Sequence, residues 1–214
     1  MINIKKLVFN PFQVNTYLLS DATRQCVLID AACYGAGENK ILEEQISREG
    51  LTPVRLVYTH CHSDHILGNA FVTTRYNLEP EVHQAGKLFW EMAKEFSSIF
   101  GLDYEGVMKP TRFLEEGDEV RFGHSSLRVL YTPGHADGSI CLLSEQEKFV
   151  IVGDVLFSGS IGRADLPTGN FRVLKESIVQ KLYTLPDDTV VYPGHGPETT
   201  IGYERMNNPF VNEC

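Results

Sequence analysis

The spacing of apolar positions divides the chain into short strands and a few amphipathic helices. Residues 2–9, 16–20 and 26–30 are brief apolar or β-branched runs separated by turn chemistry at Asn10-Pro11 and across 21–25, and they predict three strands. A helix is expected to open at 35–37 and close at Gly50, because Ile41, Leu42 and Ile46 recur at helical spacing. The pattern then predicts a strand over 54–59, a helix over 66–76 and a short strand over 81–83. A third helix is expected over 86–100, crowded with Phe89, Trp90, Met92, Phe96 and Phe100, with Tyr104 following it. Strand patterning returns over 112–132, with turns at Gly117-Asp118 and 123–125. A hairpin over 140–143 and 149–152 follows, then a helix over 171–185 and a last strand over 189–192 that stops at Pro193-Gly194. In the helix, Val173, Leu174, Ile178 and Leu182 share a face.

This order does not alternate strand and helix regularly. It fits an α+β domain with a two-layered β core and helices outside it better than a βαβ repeat. No internal repeat, low-complexity tract or linker interrupts the chain, so residues 1–214 are expected to form one domain.

Composition narrows the function classes. The net charge of −9 repels phosphate backbones and anionic lipid, so neither nucleic acid nor a membrane surface is an expected partner. No apolar run is long enough to span a bilayer, and no targeting segment is visible. The five cysteines, Cys26, Cys33, Cys61, Cys141 and Cys214, are odd in number and include no Cys-x-x-Cys pair. That excludes a disulfide framework and a thiolate zinc cage, and it fits a reducing cytoplasm. Cys26 and Cys141 are expected to be small buried filler.

The chemistry concentrates at residues 59–65, Thr-His-Cys-His-Ser-Asp-His. In an extended segment alternate side chains point the same way, so His60 and His62 can share one metal while Cys61 points away. A turn into helix then redirects Asp64 and His65 toward a second point. Two ligands per metal are too few, and further candidates stand where strands end beside glycine: His135 after Gly134, Asp154 after Gly153 and His195 after Gly194. Taken singly, each of these would more often be structural; together they form an ordered set. His83 and His124 lie outside the set and are expected not to be ligands.

On these residues the chain resembles the metallo-β-lactamase superfamily. The motif His-x-His-x-Asp-His matches 60–65, and the later motifs match His135, Asp154 and His195 in order. Asp30, ending the run Val27-Leu28-Ile29, matches the family's first motif aspartate, which orders the site and does not bind metal. The resemblance implies an αββα four-layer sandwich: two mixed β-sheets with helices on the outer faces. It implies that His60, His62 and His135 hold one metal, that Asp64, His65 and His195 hold a second, and that Asp154 bridges them. Two divalent ions are therefore the expected cofactors, with zinc the first choice and iron or manganese the alternatives.

Two such ions about 3.5–4 Å apart can lower the pKa of a shared water toward ~7. Asp64 would orient that nucleophile or move its proton, which makes Asp64 and Asp154 the expected catalytic pair. Within the superfamily, three stretches resemble the short glyoxalase II-like hydrolases: 161–167 (Ile-Gly-Arg-Ala-Asp-Leu-Pro), 15–19 (Asn-Thr-Tyr-Leu-Leu) and 202–210 (Gly-Tyr-Glu-Arg-Met-Asn-Asn-Pro-Phe). The implied partner is a small hydroxyacyl thioester such as S-lactoylglutathione. The longer enzymes of that group carry a C-terminal helical domain that grips glutathione; this chain ends about 20 residues after His195, so another thiol carrier stays open. Arg163 has two readings, an ion pair with Asp165 that fixes its loop or a contact with a substrate carboxylate. The aromatic segment 89–104 has three: helix core, a substrate wall above the metals, or a dimer contact. Monomer and homodimer both remain open. The alternatives are a mono-iron persulfide dioxygenase on positions matching His60, His135 and Asp154 and, from another class, a non-catalytic metal or redox protein. A true β-lactamase is disfavoured for want of a secretory signal, and a nuclease by the charge.

Overall fold

Two six-stranded sheets lie face to face in the computed structural model, which describes residues 1–102, 106 and 108–211. The first sheet collects β1 (Asn3–Phe9), β2 (Val14–Ser20), β3 (Gln25–Ile29), β4 (Thr52–Val57), β5 (Pro80–Val82) and β6 (Arg112–Phe113), in that order. Its first three strands are antiparallel; from β3 to β6 the pairs are parallel. Helices α1 (Gly35–Arg48), α2 (Asn69–Tyr76) and α3 (Lys87–Ile99) belong to this half of the chain. The second sheet is built from β7 (Glu119–Phe122), β8 (Ser125–Tyr131), β9 (Ile140–Ser144) and β10 (Phe149–Gly153), all antiparallel neighbours. A small separate hairpin follows, β11 (Leu156–Phe157) and β12 (Ser160–Ile161). Helix α4 (Phe171–Ser177) runs into a wider turn of helix over Ile178–Leu182. Strand β13 (Val190–Pro193) then joins β10 in parallel, β14 (Thr199–Thr200) closes the edge, and α5 (Ile201–Asn207) follows.

The layering follows from period-2 burial. In β10, Phe149 and Ile151 face the seam between the sheets, while Val150 and Val152 face the outer layer with Leu174, Ile178 and Ile201. In β2, Tyr17 and Leu19 enter the seam, and Leu18 joins the outer core with Leu42, Ile46, Val72 and Trp90. Both faces of each sheet are therefore covered, and the architecture is the expected αββα sandwich of mixed sheets. Among the described residues no helix is long and apolar enough to cross a membrane.

The sequence pattern misplaced some boundaries and missed some elements. The helix expected from residue 66 begins at Asn69, because a short 3₁₀ turn over Ser63–Ile66 intervenes. The helix expected to run to 185 ends at Leu182, just ahead of Pro186. The β11–β12 hairpin, β14 and α5 were not anticipated; the three strands are two residues each, too short for a period to show. Tyr104 and Cys214 lie outside the described residues.

Candidate metal centre

All the candidate ligands sit just beyond the C-terminal ends of strands. After β4 the chain stays extended, so His60 and His62 point one way and Cys61 the other, into the outer core beside Tyr58 and Phe89. The 3₁₀ turn that follows, held by His65 N–H donating to the His62 carbonyl (3.1 Å), swings Asp64 and His65 inward. From the second half of the chain come His135 beyond β8, Asp154 beyond β10 and His195 beyond β13.

These seven side chains meet. Three overlapping sets, His60–His62–His135, His60–His65–Asp154 and Asp64–His65–His195, each bring their ligand atoms within 4.8 Å of one another. Asp154 lies between the histidines: its carboxylate is 3.4 Å from His65 Nε2, 3.5 Å from His195 Nε2 and 3.7 Å from His135 Nε2. Asp64 Oδ2 is 3.6 Å from His195 Nε2 and 3.8 Å from His65 Nε2. His83, stacked on Tyr131 at 4.1 Å, and His124, at an exposed turn, belong to none of the sets.

The outward nitrogens decide what the inward ones can do. His135 Nδ1 lies 2.7 Å from the Arg163 carbonyl and His195 Nδ1 2.9 Å from the Phe12 carbonyl. His65 Nδ1 lies 3.0 Å from Asp30 Oδ2. A carbonyl or carboxylate only accepts, so each of these Nδ1 atoms carries the proton and each Nε2 turns a bare lone pair inward. His62 is reversed: its Nδ1 faces His135 Nε2 at 3.0 Å. Among the described residues, His60 Nε2, His65 Nε2 and Asp154 Oδ1 are buried with no hydrogen-bond partner. Buried lone pairs aimed at a common point are costly unless something positive lies there. This donor set of imidazoles and carboxylates fits divalent cations of the zinc, iron or manganese type.

The electrostatics divide the cluster: neutral rings are favoured at His60 and His62, positive charge at His65. Burial, helped by neighbouring histidines, drives His60 well below its ordinary pKa, and burial beside His135 pushes His62 down to about 3. For His65 burial acts downward too, but Asp154 and Asp64 outweigh it and the pKa is raised well above the usual range. Burial would raise Asp154, yet His65, His195 and His135 hold it below the ordinary carboxylate range.

Residues outside the set fix its geometry. Asp30, at a left-handed φ of 52°, accepts from Thr59 N–H and Thr59 Oγ1 (both 2.7 Å) and from His65. Asn15 Nδ2 donates to the Pro193 and Gly196 carbonyls, and Tyr17 Oη donates to the Pro193 carbonyl at 2.6 Å, so β2 latches the His195 loop. Glycine is needed at 194, where a Cβ would stand 2.2 Å from Asp154 Oδ1. Gly134 has a different reason: its neighbour is the backbone of Leu174 in α4, away from the ligands.

Two fixtures escaped sequence reasoning. Glu204, fully buried in α5, accepts from Gly159 N–H, Thr199 Oγ1 and Asn208 Nδ2, and Asn208 also donates to the Ser160 carbonyl. The tail thereby clamps the β11–β12 hairpin. Arg163 makes the ion pair expected of it, its guanidinium on both oxygens of Asp165 at 2.9 Å; the contact that was missed is its backbone carbonyl on His135. The spacing Glu204-x-x-x-Asn208, one helical turn apart, was the available clue to the clamp.

A cavity of about 690 Å³ opens over the ligands. Its floor is His62, Asp64, His135, Asp154 and His195; its walls include Phe12, Phe89, Phe96, Ile99, Phe100, Phe157, Leu166 and Pro167, with Arg163 at the rim. Of the aromatic segment, Phe89 and Trp90 are core and Phe96 is half-buried, whereas Phe100 is exposed.

Comparison with known proteins places this geometry. The family model described as "Metallo-beta-lactamase superfamily" matches residues 9–195. A Bacillus subtilis protein named probable metallo-hydrolase YqgX is 39% identical over 210 residues, 97% of each chain. A Haemophilus influenzae protein named hydroxyacylglutathione hydrolase GloC is 34% identical, covering 99% of each. Among solved structures, the B3 metallo-beta-lactamase BLEG-1 aligns with a TM-score of 0.89 at 32% identity, over 99% of this chain and 100% of that one. The protein TTHA1623, solved in a di-iron-bound form, gives 0.86 at 34% identity, over 97% and 100%. ETHE1 from Myxococcus xanthus gives 0.79 at 31% identity, over 98% and 84%.

Proposed function

This chain belongs to the metallo-β-lactamase superfamily, and from that premise we propose that it is a two-metal thioesterase acting on hydroxyacyl-thiol esters such as S-lactoylglutathione. The observation that carries the reading is the position of Asp154, whose carboxylate stands within 3.4–3.7 Å of histidines on both sides of the cluster. In this reading His60, His62 and His135 would hold one cation and Asp64, His65 and His195 the other, with Asp154 within reach of both. A pair of divalent cations supplies Lewis acidity and water ionised near neutral pH.

The chain's own residues do the rest. Asp64, at the cavity floor and partly exposed, turns Oδ2 toward His195 and His65, and its carboxylate is placed to orient the attacking water and move its proton through the other oxygen. Phe89, edge-on to His62 at 4.7 Å, and Phe157, beside His195 at 6.3 Å, shield the floor from bulk water. Asp30 is a positioning residue acting through His65. In the overall step the oxygen of water bonds to the acyl carbon, the carbon–sulfur bond breaks, and a carboxylate, a thiol and one net proton to balance leave the site. The GloC relative supports a thioester substrate by its name.

The test is a hydrolysis screen of purified, metal-analysed protein against S-lactoylglutathione and other acyl thioesters, with a β-lactam included because one similar structure is titled a B3 enzyme. Thioester cleavage well above β-lactam cleavage is expected. No thioester cleavage at full metal occupancy overturns the reading. The mono-iron persulfide dioxygenase alternative makes oxygen consumption with glutathione persulfide the competing assay. His60–His62–His135 and Asp64–His65–His195 share no residue, which leaves donors for the two cations that the hydrolytic reading uses.

A further inference from the structure

The wall of the cavity is as informative as its floor. Large apolar side chains are left in solvent at Phe12, Ile99 and Phe100, which are 36%, 73% and 57% exposed. They gather at one mouth: Phe12, from the β1–β2 turn, meets Phe100 edge-to-face at 5.3 Å. The same cavity is lined by Phe96, Phe89 and Phe157; Phe96 packs on Phe89, and Phe89 and Phe157 stand against His62 and His195. A concave apolar surface of about 690 Å³ continuous with reacting groups has the size of a small-molecule site. An exposed patch that serves no folding purpose marks a binding surface.

The charges point the same way. Among the described lining residues Arg163 is the one cation, and Asp165 occupies its guanidinium through two hydrogen bonds. The other charged groups in the lining are the carboxylates of Asp64 and Asp154. An anionic, polar arm such as that of glutathione, with its two carboxylates, finds no unengaged cation there.

We propose that the site selects thioesters by an apolar arm, aliphatic or aromatic, laid along the wall of Phe12, Phe96, Ile99, Phe100 and Phe157. The proposal rests on the thioesterase reading above and names the substrate class of that same site. The arm could stand on either side of the thioester: the acyl chain or the thiol.

The experiment measures kcat/KM for two series with the metal-loaded protein. One varies the acyl group on N-acetylcysteamine from acetyl and lactoyl to butanoyl, hexanoyl and phenylacetyl. The other holds the acyl group at lactoyl and varies the thiol from glutathione to alkyl and benzyl thiols. Burying a methylene predicts a gain of about fourfold for each one added, until the wall is covered. A rise along the first series puts the acyl chain on the wall; a rise along the second puts the thiol there. Phe100→Ser and Ile99→Ser remove exposed side chains, so the fold survives, and each should at least halve the gain per methylene. Profiles that are flat or falling in both series, with lactoyl esters still cleaved, overturn the apolar arm and leave the thioesterase reading standing. No cleavage of any thioester by the fully loaded protein removes that reading, and the apolar arm with it.

Discussion

The floor and the wall of the cavity are built by opposite means. Beneath and within the floor, every histidine of the ligand cluster except His62 has its outward nitrogen on an oxygen: a carbonyl for His135 and His195, the Asp30 carboxylate for His65 and the Thr59 hydroxyl for His60. These bonds are short in range and specific in direction, so ligand orientation is fixed before any ligand arrives. The wall has no such partners. Phe12 and Phe100 meet edge-to-face and, with Ile99, stay largely in solvent. The difference teaches that the chemistry is tightly specified while the substrate arm is specified loosely, by shape and apolar area. The largest effects should therefore come from breaking the floor.

Asp154→Ala should be the most damaging substitution. It removes the one carboxylate within reach of histidines from both ligand sets and leaves inward nitrogens facing one another. Turnover is expected to fall about a thousandfold or more, and bound metal to drop in parallel when the two are measured on one preparation by mass spectrometry and a thioester assay. Full metal content with normal turnover would refute the bridging role. Next comes Asp30→Asn. The amide keeps one oxygen for Thr59 N–H but offers an NH₂ group where His65 Nδ1 needs an acceptor. His65 should lose its tautomer, and metal affinity should weaken by about 10–100-fold, read by competition with a chromophoric chelator. An unchanged affinity would show that Asp30 serves only the backbone of Thr59.

The same contrast explains what could be read from the chain. The floor was legible because metal chemistry demands particular residue types, and because strand ends beside glycine are visible as Gly-His and Gly-Asp pairs. The four layers were legible too, since strands buried on both faces still alternate which core they enter, as Val150 and Ile151 do. Other features left no periodic trace. The β11–β12 hairpin has two residues per strand, so no pattern can form. The carbonyl of Arg163 carries no side-chain identity at all; the sequence draws the eye to a guanidinium, and the structure uses the backbone. The wall sat unresolved in the aromatic segment, because a helix stripe of Phe89, Trp90 and Phe96 reads as core whether or not its last turn overhangs a site.

The tail clamp links floor to wall, and its loss should be intermediate. Glu204→Ala leaves Gly159 N–H, Thr199 Oγ1 and Asn208 Nδ2 without their acceptor in a fully buried place. Stability should fall by about 3 kcal/mol, which is roughly 6–12 °C in Tm for a chain of this size. The hairpin carries Phe157 and Ser158 into the cavity, so KM should rise severalfold while kcat and metal content change little. A fall in metal content as large as that of Asp30→Asn would mean that α5 supports the floor and not the wall.

The smallest effect sharpens the comparison most. Arg163 belongs to the floor through its carbonyl and to the rim through its guanidinium, and Arg163→Ala deletes only the second. The side chain is 62% exposed and its guanidinium already paired with Asp165, an arrangement whose loss costs a protein little. If the apolar wall selects the substrate, kcat/KM for S-lactoylglutathione should stay within about twofold of the parent, and the alkyl-chain dependence should be untouched. If the guanidinium instead leaves Asp165 to meet a substrate carboxylate, KM for the glutathione ester alone should rise by about tenfold, with neutral esters unaffected. Assaying both esters on one variant separates a rim that reads charge from a wall that reads carbon.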